Sequence, residues 1–354
     1  MIRNISLFFL AADDYYAPFV ATTMASILKN TNSFVDFYIL SDGISAKNKL
    51  KISNEKKWFK NFNIKFVDLD SDVLAKMMQK YNRKEEYITK AAYCRLFIPE
   101  LDVSKELKKV IYLDDDIIVK KDIKLLYDQN LDGNIVGVVN DYCVSNPIIK
   151  DRRRLKNFKA FNISNDRYFN SGMLLIDVNK WKKEHITEKS MQTALDIMNM
   201  PHMCHDQSIL NIVLNGKAKM LPCKYNTTLH NFDNKNNVNR KIDVKSLSKV
   251  FDDAVIIHYS SQRYKPWLDK ECLFAKEFWK VVQYTDFEEE LKRRYDINLS
   301  IKKAIKKATK EKGTKSQFKL IVRYIFIAKC ILISGVLLLL INILILAYIR
   351  KKKT

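Results

Sequence analysis

A chain of 354 residues with 47% hydrophobic content is long enough to bury a full core, as one large domain or two ordinary ones. Its formal charge of +22 is uneven: residues 291–354 carry 17 Lys and Arg against 2 acids, a surplus of 15 that leaves +7 on residues 1–290. The basicity is a property of the tail and gives no sign of nucleic-acid binding by the rest of the chain.

The six cysteines form no C-x-x-C pair, and such scatter through a long chain fits reduced thiols in a cytosolic setting. Residues 1–10 are too short and too weakly apolar for a secretory signal. The four N-x-S/T sequons, at Asn4, Asn162, Asn226 and Asn298, therefore read as chance in an Asn- and Lys-rich chain.

Residues 5–10 read as a buried strand running into Ala11, Ala12, Asp13, Asp14, Tyr15 and Tyr16. Pro18 sits where a helix starts, and helical apolar spacing continues over 19–28. Residues 34–40 form a second strand closed by Ser41-Asp42-Gly43, residues 45–60 a helix, and 64–69 a third strand. This alternation predicts an α/β fold with a mainly parallel central sheet, in which ligands bind beyond the carboxyl ends of the strands. Neither G-x-G-x-x-G nor G-x-x-x-x-G-K-[ST] occurs among the seven glycines. If a nucleotide binds, side chains and a metal must carry its phosphate charge.

Residues 89–98 spell a helix ended by Pro99, with Arg95 amid apolar neighbours. That Arg either snorkels at the surface or aims at a phosphate or sugar. Residues 110–113 are an apolar run of the kind buried on both faces, followed by Asp114, Asp115 and Asp116 and by a second run over 117–119. In extended backbone Asp114 and Asp116 share a face and Asp115 points away. Two ionised carboxylates on one spot repel unless a cation sits between them. Two readings stand: a divalent metal held by Asp114 and Asp116 with a phosphate-bearing ligand, or an acidic turn in solvent.

Residues 135–139 make another strand, ending at Asn140-Asp141, and 145–166, with Arg152, Arg153 and Arg154, read as an irregular connection. Residues 173–176 form a buried strand preceded by a tight polar turn at Asn170-Ser171-Gly172. Asp206 and Gln207 open a short helix over 208–214, where Asp206 is explained by capping and Gln207 is not. His202, Cys204 and His205 lack a second ligand pair, which disfavours a structural zinc. Residues 254–257 form the last strand, ending at His258, either a core residue or a neutral nitrogen for a metal.

Taken in order, seven segments resemble the family 8 retaining glycosyltransferases, the group containing bacterial lipopolysaccharide galactosyl- and glucosyltransferases and the glycogenins. They are A-A-D-D-Y-Y at 11–16, A-Y-C-R-L at 92–96, Y-L-D-D-D-I-I-V at 112–119 and Y-F-N-S-G-M-L-L-I-D at 168–177. D-Q-S-I-L-N at 206–211, I-H-Y at 257–259 and K-P-W at 265–267 complete the set. The resemblance implies a single Rossmann-like nucleotide-diphospho-sugar transferase domain of GT-A type. It implies that Ala11 and Asp13 hold the uracil and ribose and that Tyr16 stacks on the base. Asp114, Asp116 and His258 would bind Mn²⁺ bridging the UDP diphosphate, with Asp115 in the same donor-binding set although it faces away from the metal. Arg95, Asn170, Asp206 and Gln207 would surround the donor sugar, Lys265 would touch the diphosphate, and Asp141 would orient sugar or acceptor.

The implied activity is Mn²⁺-dependent, retaining transfer of galactose or glucose from a UDP-sugar to a glycan or lipid-linked acceptor, in cell-surface polysaccharide or lipopolysaccharide synthesis. Where the family has H-Y-x-G-x-x-K-P-W, this chain has H-Y-S-S-Q-R-Y-K-P-W, without the glycine, which makes Arg263 a rival for the role of Lys265. The alternatives are a glycoside hydrolase using the aspartates and a non-catalytic nucleotide-sugar or glycan-binding protein.

In the tail, Ile301, Ala304, Ile305 and Ala308 recur at helical spacing with Lys between them, a basic amphipathic helix suited to an anionic membrane surface. Residues 330–349 are free of charge over about the ~20 residues that span a bilayer. The expected organisation is a catalytic domain over 1–285, a basic linker and amphipathic helix over 286–319, a membrane-anchor helix over 320–349 and a basic tail over 350–354. The catalytic domain is expected on the cytoplasmic face of the membrane.

Overall fold

The apolar runs of the first half pair side by side in parallel. In the computed structural model β1 (Ile5–Ala11) lies between β2 (Val35–Ser41) and β4 (Lys109–Leu113), and β3 (Phe62–Asp68) adds outside β2. The structure describes residues 5–11, 13–68, 94–141, 157–164, 167–197, 200, 205–228, 244–260 and 264–310. Within them the chain divides into two compact units, Met1–Glu288 and Glu289–Thr354.

The seven-stranded sheet has the order β3-β2-β1-β4-β7-β6-β8, completed by β6 (Val136–Asn140), β7 (Phe169–Asp177) and β8 (Ala218–Met220). It is mainly parallel, but β7 runs antiparallel to both neighbours. A second sheet has the order β5-β10-β9, from β5 (Ile117–Val119), β9 (Thr227–Thr228) and β10 (Ile256–His258). Sequence periodicity gave no sign of β8, of β9 or of this small sheet.

Helix α1 (Ala17–Asn30) takes Pro18 in its first turn, where a missing N–H costs nothing, and every residue from Ala17 to Leu28 is buried. A helix apolar on all sides belongs inside a core. Its polar residues tie it to the strand ends: Thr23 Oγ1 donates to the carbonyls of Asp115 (2.9 Å) and Ile117 (2.8 Å), and Ser26 Oγ accepts from the Val119 N–H (2.9 Å).

Three local expectations are corrected. The helix expected over 45–60 ends early: α2 (Ala46–Ser53) gives way to a 3-10 turn at Asn54–Lys57. There Asn54 Nδ2 is claimed by Asp286 Oδ2 at 2.6 Å and the Glu55 side chain is buried. Pro99 does not end the segment containing Arg95 but lies inside a 3-10 helix, Arg95–Glu100. Asn170, Ser171 and Gly172 are not a turn; they continue β7, where the register with β6 breaks between Gly137 and Val139. Such a bulge re-aims side chains at a strand end.

The second half adds α3 (Val178–Lys183), α4 (Ile186–Ile197), α5 (His205–Val213), α6 (Val244–Asp253), α7 (Ala275–Val282) and α8 (Glu288–Lys310). The basic segment 301–310 is helical as expected. Among the described residues no helix is long and apolar enough to cross a membrane, and the expected anchor at 320–349 lies outside them. Arg152–154, His202, Cys204 and Arg263 also lie outside the described residues.

Candidate active site

Two sheet pairings assemble the site. Antiparallel β5 and β10 put His258 opposite Ile117, one residue past Asp116, and the Tyr259 N–H donates to the Asp116 carbonyl at 2.9 Å. The β4–β7 pairing sets Leu113 opposite Met173, and the Asp114 N–H donates to the Gly172 carbonyl at 2.8 Å. Asp114, Asp116 and His258 thus each offer a ligand atom, all within 4.8 Å of one another. His258 Nε2 stands 3.0 Å from Asp116 Oδ1 and 3.8 Å from Asp114 Oδ2.

Each carboxylate keeps one oxygen for structure. Asp114 Oδ1 accepts from the Tyr112 hydroxyl (2.6 Å) and pairs with Arg95 Nη2 (3.1 Å), leaving Oδ2 toward His258. Asp116 Oδ2 contacts the Lys265 ammonium, while among the described residues its Oδ1 is buried without a hydrogen-bond partner despite the imidazole nearby. Burial alone would push Asp116 up, but the Lys265 ammonium, and the His258 imidazole when protonated, outweigh it and hold the carboxyl well below its usual range.

The donor set fits a divalent cation on two observations. One is the orphaned, ionised Asp116 oxygen, which a cation would satisfy. The other is Gly172: a Cβ there would stand 2.3 Å from His258 Cε1 and 2.6 Å from Asp114 Oδ2, so only glycine lets both ligands close on one point. Two carboxylates with an imidazole suit Mn²⁺ better than the all-oxygen preference of Mg²⁺.

Arg95 is not a snorkelling surface residue. It is 5% exposed and bridges Asp114 and Asp206, the latter through Nε to Oδ2 at 3.2 Å, and Nη1 donates to the Ser171 carbonyl at 2.8 Å. Burial would lower Arg95, but Asp114 and then Asp206 outweigh it and keep the guanidinium charged. Asp206 lies inside the first turn of α5 rather than capping it, and its Oδ2 also accepts from Ser171 Oγ at 3.0 Å.

Gln207 is held at both ends. Its Oε1 accepts from the Ser171 N–H and from Asn170 Nδ2, both at 3.2 Å, and its Nε2 donates to Asp141 Oδ2 at 3.0 Å. Asp141, at the end of β6, is 4% exposed. Asn170, Asp206, Gln207, Asp141 and Arg95 therefore form one connected polar wall beside the carboxylate pair.

The residues expected to hold the nucleoside gather at the adjoining strand end. The β1–β4 register pairs Phe9 with Leu113, so the carboxyl ends of the two strands lie side by side. Asp13 is exposed, and its Oδ1 closes the turn into α1 by accepting from the N–H groups of Tyr15 (2.8 Å) and Tyr16 (3.3 Å). Burial and then Asp115 push the Tyr16 phenol above its ordinary range. Burial, then Asp116 and Asp114, push Asp115 up in turn. Trp267 packs at a tilt on Phe19 of α1 with ring centres 4.1 Å apart, and so anchors the segment that presents Lys265.

Sequence reasoning assigned no role to Tyr112, Ser171, Gly172 or Asn226, which hold the ligands and the polar wall. The first three stand inside quoted motifs. Asn226 had only its chance sequon to mark it.

The family model for glycosyl transferase family 8 matches residues 7–271. General stress protein A of Bacillus subtilis is 27% identical over 278 residues, 77% of this chain and 92% of that protein. Glycosyltransferase GlyF of Streptococcus pneumoniae is 31% identical over 294 residues, 82% of this chain and 64% of that protein. The lipopolysaccharide 1,2-glucosyltransferase of Escherichia coli K12 is 28% identical over 258 residues, covering 72% and 70%. Among solved structures, the bifunctional glycosyltransferase WbbM superposes with a TM-score of 0.68 at 22% identity over 82% of this chain and 51% of that one. The galactosyltransferase LgtC, in complex with donor and acceptor sugar analogs, gives 0.64 at 22% identity over 80% and 96%, a likeness of fold. With a family match running across both sheets and every segment that builds the site, the chain belongs to glycosyl transferase family 8.

Proposed function

We propose that this chain transfers a hexose, galactose or glucose, from a UDP donor to a glycan or lipid-linked acceptor in cell-surface polysaccharide or lipopolysaccharide synthesis, with retention at the anomeric carbon. The observation that carries the reading is the convergence of Asp114, Asp116 and His258 around a buried carboxylate oxygen with no hydrogen-bond partner among the described residues. The names of the Escherichia coli glucosyltransferase and of LgtC support the substrate class.

Asp114, Asp116 and His258 would hold Mn²⁺, which when bound supplies Lewis-acid neutralisation of charge gathering on the diphosphate. Lys265, whose ammonium pairs with the Asp116 carboxylate, would add a second positive charge there. Ala11, Asp13 and Tyr16 would take the nucleoside at the end of β1, with Asp115 in the same donor-binding set. The polar wall of Asn170, Asp206, Gln207 and Asp141 would bind the sugar hydroxyls, and Arg95 keeps that wall and the carboxylate pair in register.

Retention by double displacement needs a carboxylate nucleophile under the anomeric carbon. Gln207 is an amide whose oxygen already accepts two hydrogen bonds, and the wall's two carboxylates are engaged, Asp206 by Arg95 and Ser171 and Asp141 by Gln207. The wall therefore fits internal return. The bond from the anomeric carbon to the diphosphate oxygen breaks, the acceptor hydroxyl oxygen bonds to the same face, and its proton passes to the departing diphosphate.

The test is UDP release over a set of UDP-sugars with Mn²⁺, in EDTA, and in Asp116→Ala and His258→Ala. Release that needs the metal and collapses in both variants is the expected result; full activity in EDTA would instead favour the hydrolase reading. The charge-free run at 330–349 supports a membrane anchor, and the catalytic unit is proposed to lie on the cytoplasmic face.

A further inference from the structure

Asn226 is 1% exposed, in the bend just before β9, the strand that pairs with β10 and its His258. It is too buried to accept a glycan, so its sequon is incidental. Its amide touches two side chains: Nδ2 donates to Asn170 Oδ1 at 2.9 Å, and Oδ1 meets His258 Nδ1 at 2.9 Å.

The direction of those bonds follows from a group that cannot turn round. The Gly172 backbone N–H, which only donates, points at one end of the Asn170 amide at 3.0 Å, so that end is the oxygen. An oxygen there requires the nitrogen of Asn226 to face it, and the Asn226 oxygen is then left for the imidazole. His258 Nδ1 must consequently carry the proton. In the neutral ring Nε2 then keeps its lone pair, 3.0 Å from Asp116 Oδ1 and 3.8 Å from Asp114 Oδ2.

We propose that Asn226 is a positioning residue that fixes His258 in its Nδ1–H tautomer and so presents Nε2, with Asp114 and Asp116, to a divalent cation. The inference rests on the metal reading above and extends it beyond the ligands. A histidine ligand needs its other ring nitrogen anchored by an acceptor, and losing that acceptor typically weakens metal binding about 10–100-fold. The relay Gly172 N–H, Asn170, Asn226, His258 also joins the sugar wall to the metal side through Asn170, which donates to Gln207.

The test uses the full chain, stripped with EDTA and labelled with ¹⁵N-histidine. His258 is assigned among the five histidines by comparison with His258→Gln. Nitrogen shifts at a pH where the ring is neutral should place the proton on Nδ1 in the metal-free wild type; a proton on Nε2 there overturns the proposal, whatever any variant does. Mn²⁺ affinity is then read from the EPR signal of the free ion. Asn226→Leu should lose the single tautomer and bind Mn²⁺ about 10–100-fold more weakly.

Asn226→Asp keeps an acceptor for Nδ1–H but loses the donor to Asn170, so it should hold the tautomer and bind Mn²⁺ more tightly than the leucine variant. If Asp binds as weakly as Leu, Asn226 acts only through Asn170 and the proposal fails. It also fails if Leu leaves tautomer and affinity unchanged. Wild-type protein with the Nδ1 proton but no Mn²⁺ binding would sink the metal reading and leave the tautomer assignment standing.

Discussion

Gly172→Ala is the sharpest perturbation the site offers. Gly172 lies in β7 and does not have a positive φ, so an alanine backbone is not strained there. Any effect comes from one methyl group. That methyl would lie 2.3 Å from His258 Cε1, 2.6 Å from Asp114 Oδ2 and 3.1 Å from Asn170 Oδ1. The first is about 1 Å inside the ~3.5 Å at which carbon atoms begin to repel, so the imidazole or the carboxylate must retreat by about that much.

Overpacking of this kind costs about 1–3 kcal/mol of stability. A displacement of ~1 Å in a catalytic constellation costs about 10²-fold in rate. The expected outcome is a folded protein melting somewhat lower, with Mn²⁺ affinity and Mn²⁺-dependent UDP release both down about 100-fold. Gly137→Ala is the control. Its methyl would meet the side-chain ends of Leu221 (2.9 Å) and Leu131 (3.0 Å), which can turn aside, so it should lower stability slightly and leave Mn²⁺ affinity intact. Gly172→Ala with wild-type Mn²⁺ affinity and turnover would refute the close approach of the two ligands.

Arg95→Lys should not substitute for the wild type, because one ammonium cannot span Asp114, Asp206 and the Ser171 carbonyl together; a loss of about 3–5 kcal/mol in denaturant unfolding is expected, and a loss below 1 would contradict the bridge. Glu55 is buried, with neither carboxylate oxygen partnered among the described residues, and burial and then Asp286 push its pKa well above the ordinary 4.5. Its folded value exceeds the unfolded one, so its contribution to stability is full below about 4.5 and is lost as pH rises through the folded value. Glu55→Met should therefore raise stability by about 1–3 kcal/mol, more at pH 8 than at pH 5, and melting curves that keep a constant gap between those pH values would count against it. Deleting residues 320–354 should abolish carbonate-resistant membrane association of the full chain; a full-length protein that is wholly soluble removes the anchor.

The sequence determined the parts that depend on neighbours in the chain. Apolar runs ending in acids placed β1, β4 and β6, and the two-residue repeat of extended backbone put Asp114 and Asp116 on one face. Asn170, Ser171 and Gly172 were misread because polar residues in a row look like a turn. They stay in a strand since their partners, Gln207, Asp206 and Asn226, arrive from distant segments. Only the tertiary structure decided that His258 meets Asp116: the apolar run at 117–119 and a strand ending at His258 were legible, but their antiparallel pairing joins segments far apart in the chain. It likewise decided that Asn226 directs the imidazole, because the orientation of a buried amide depends on which groups surround it in space.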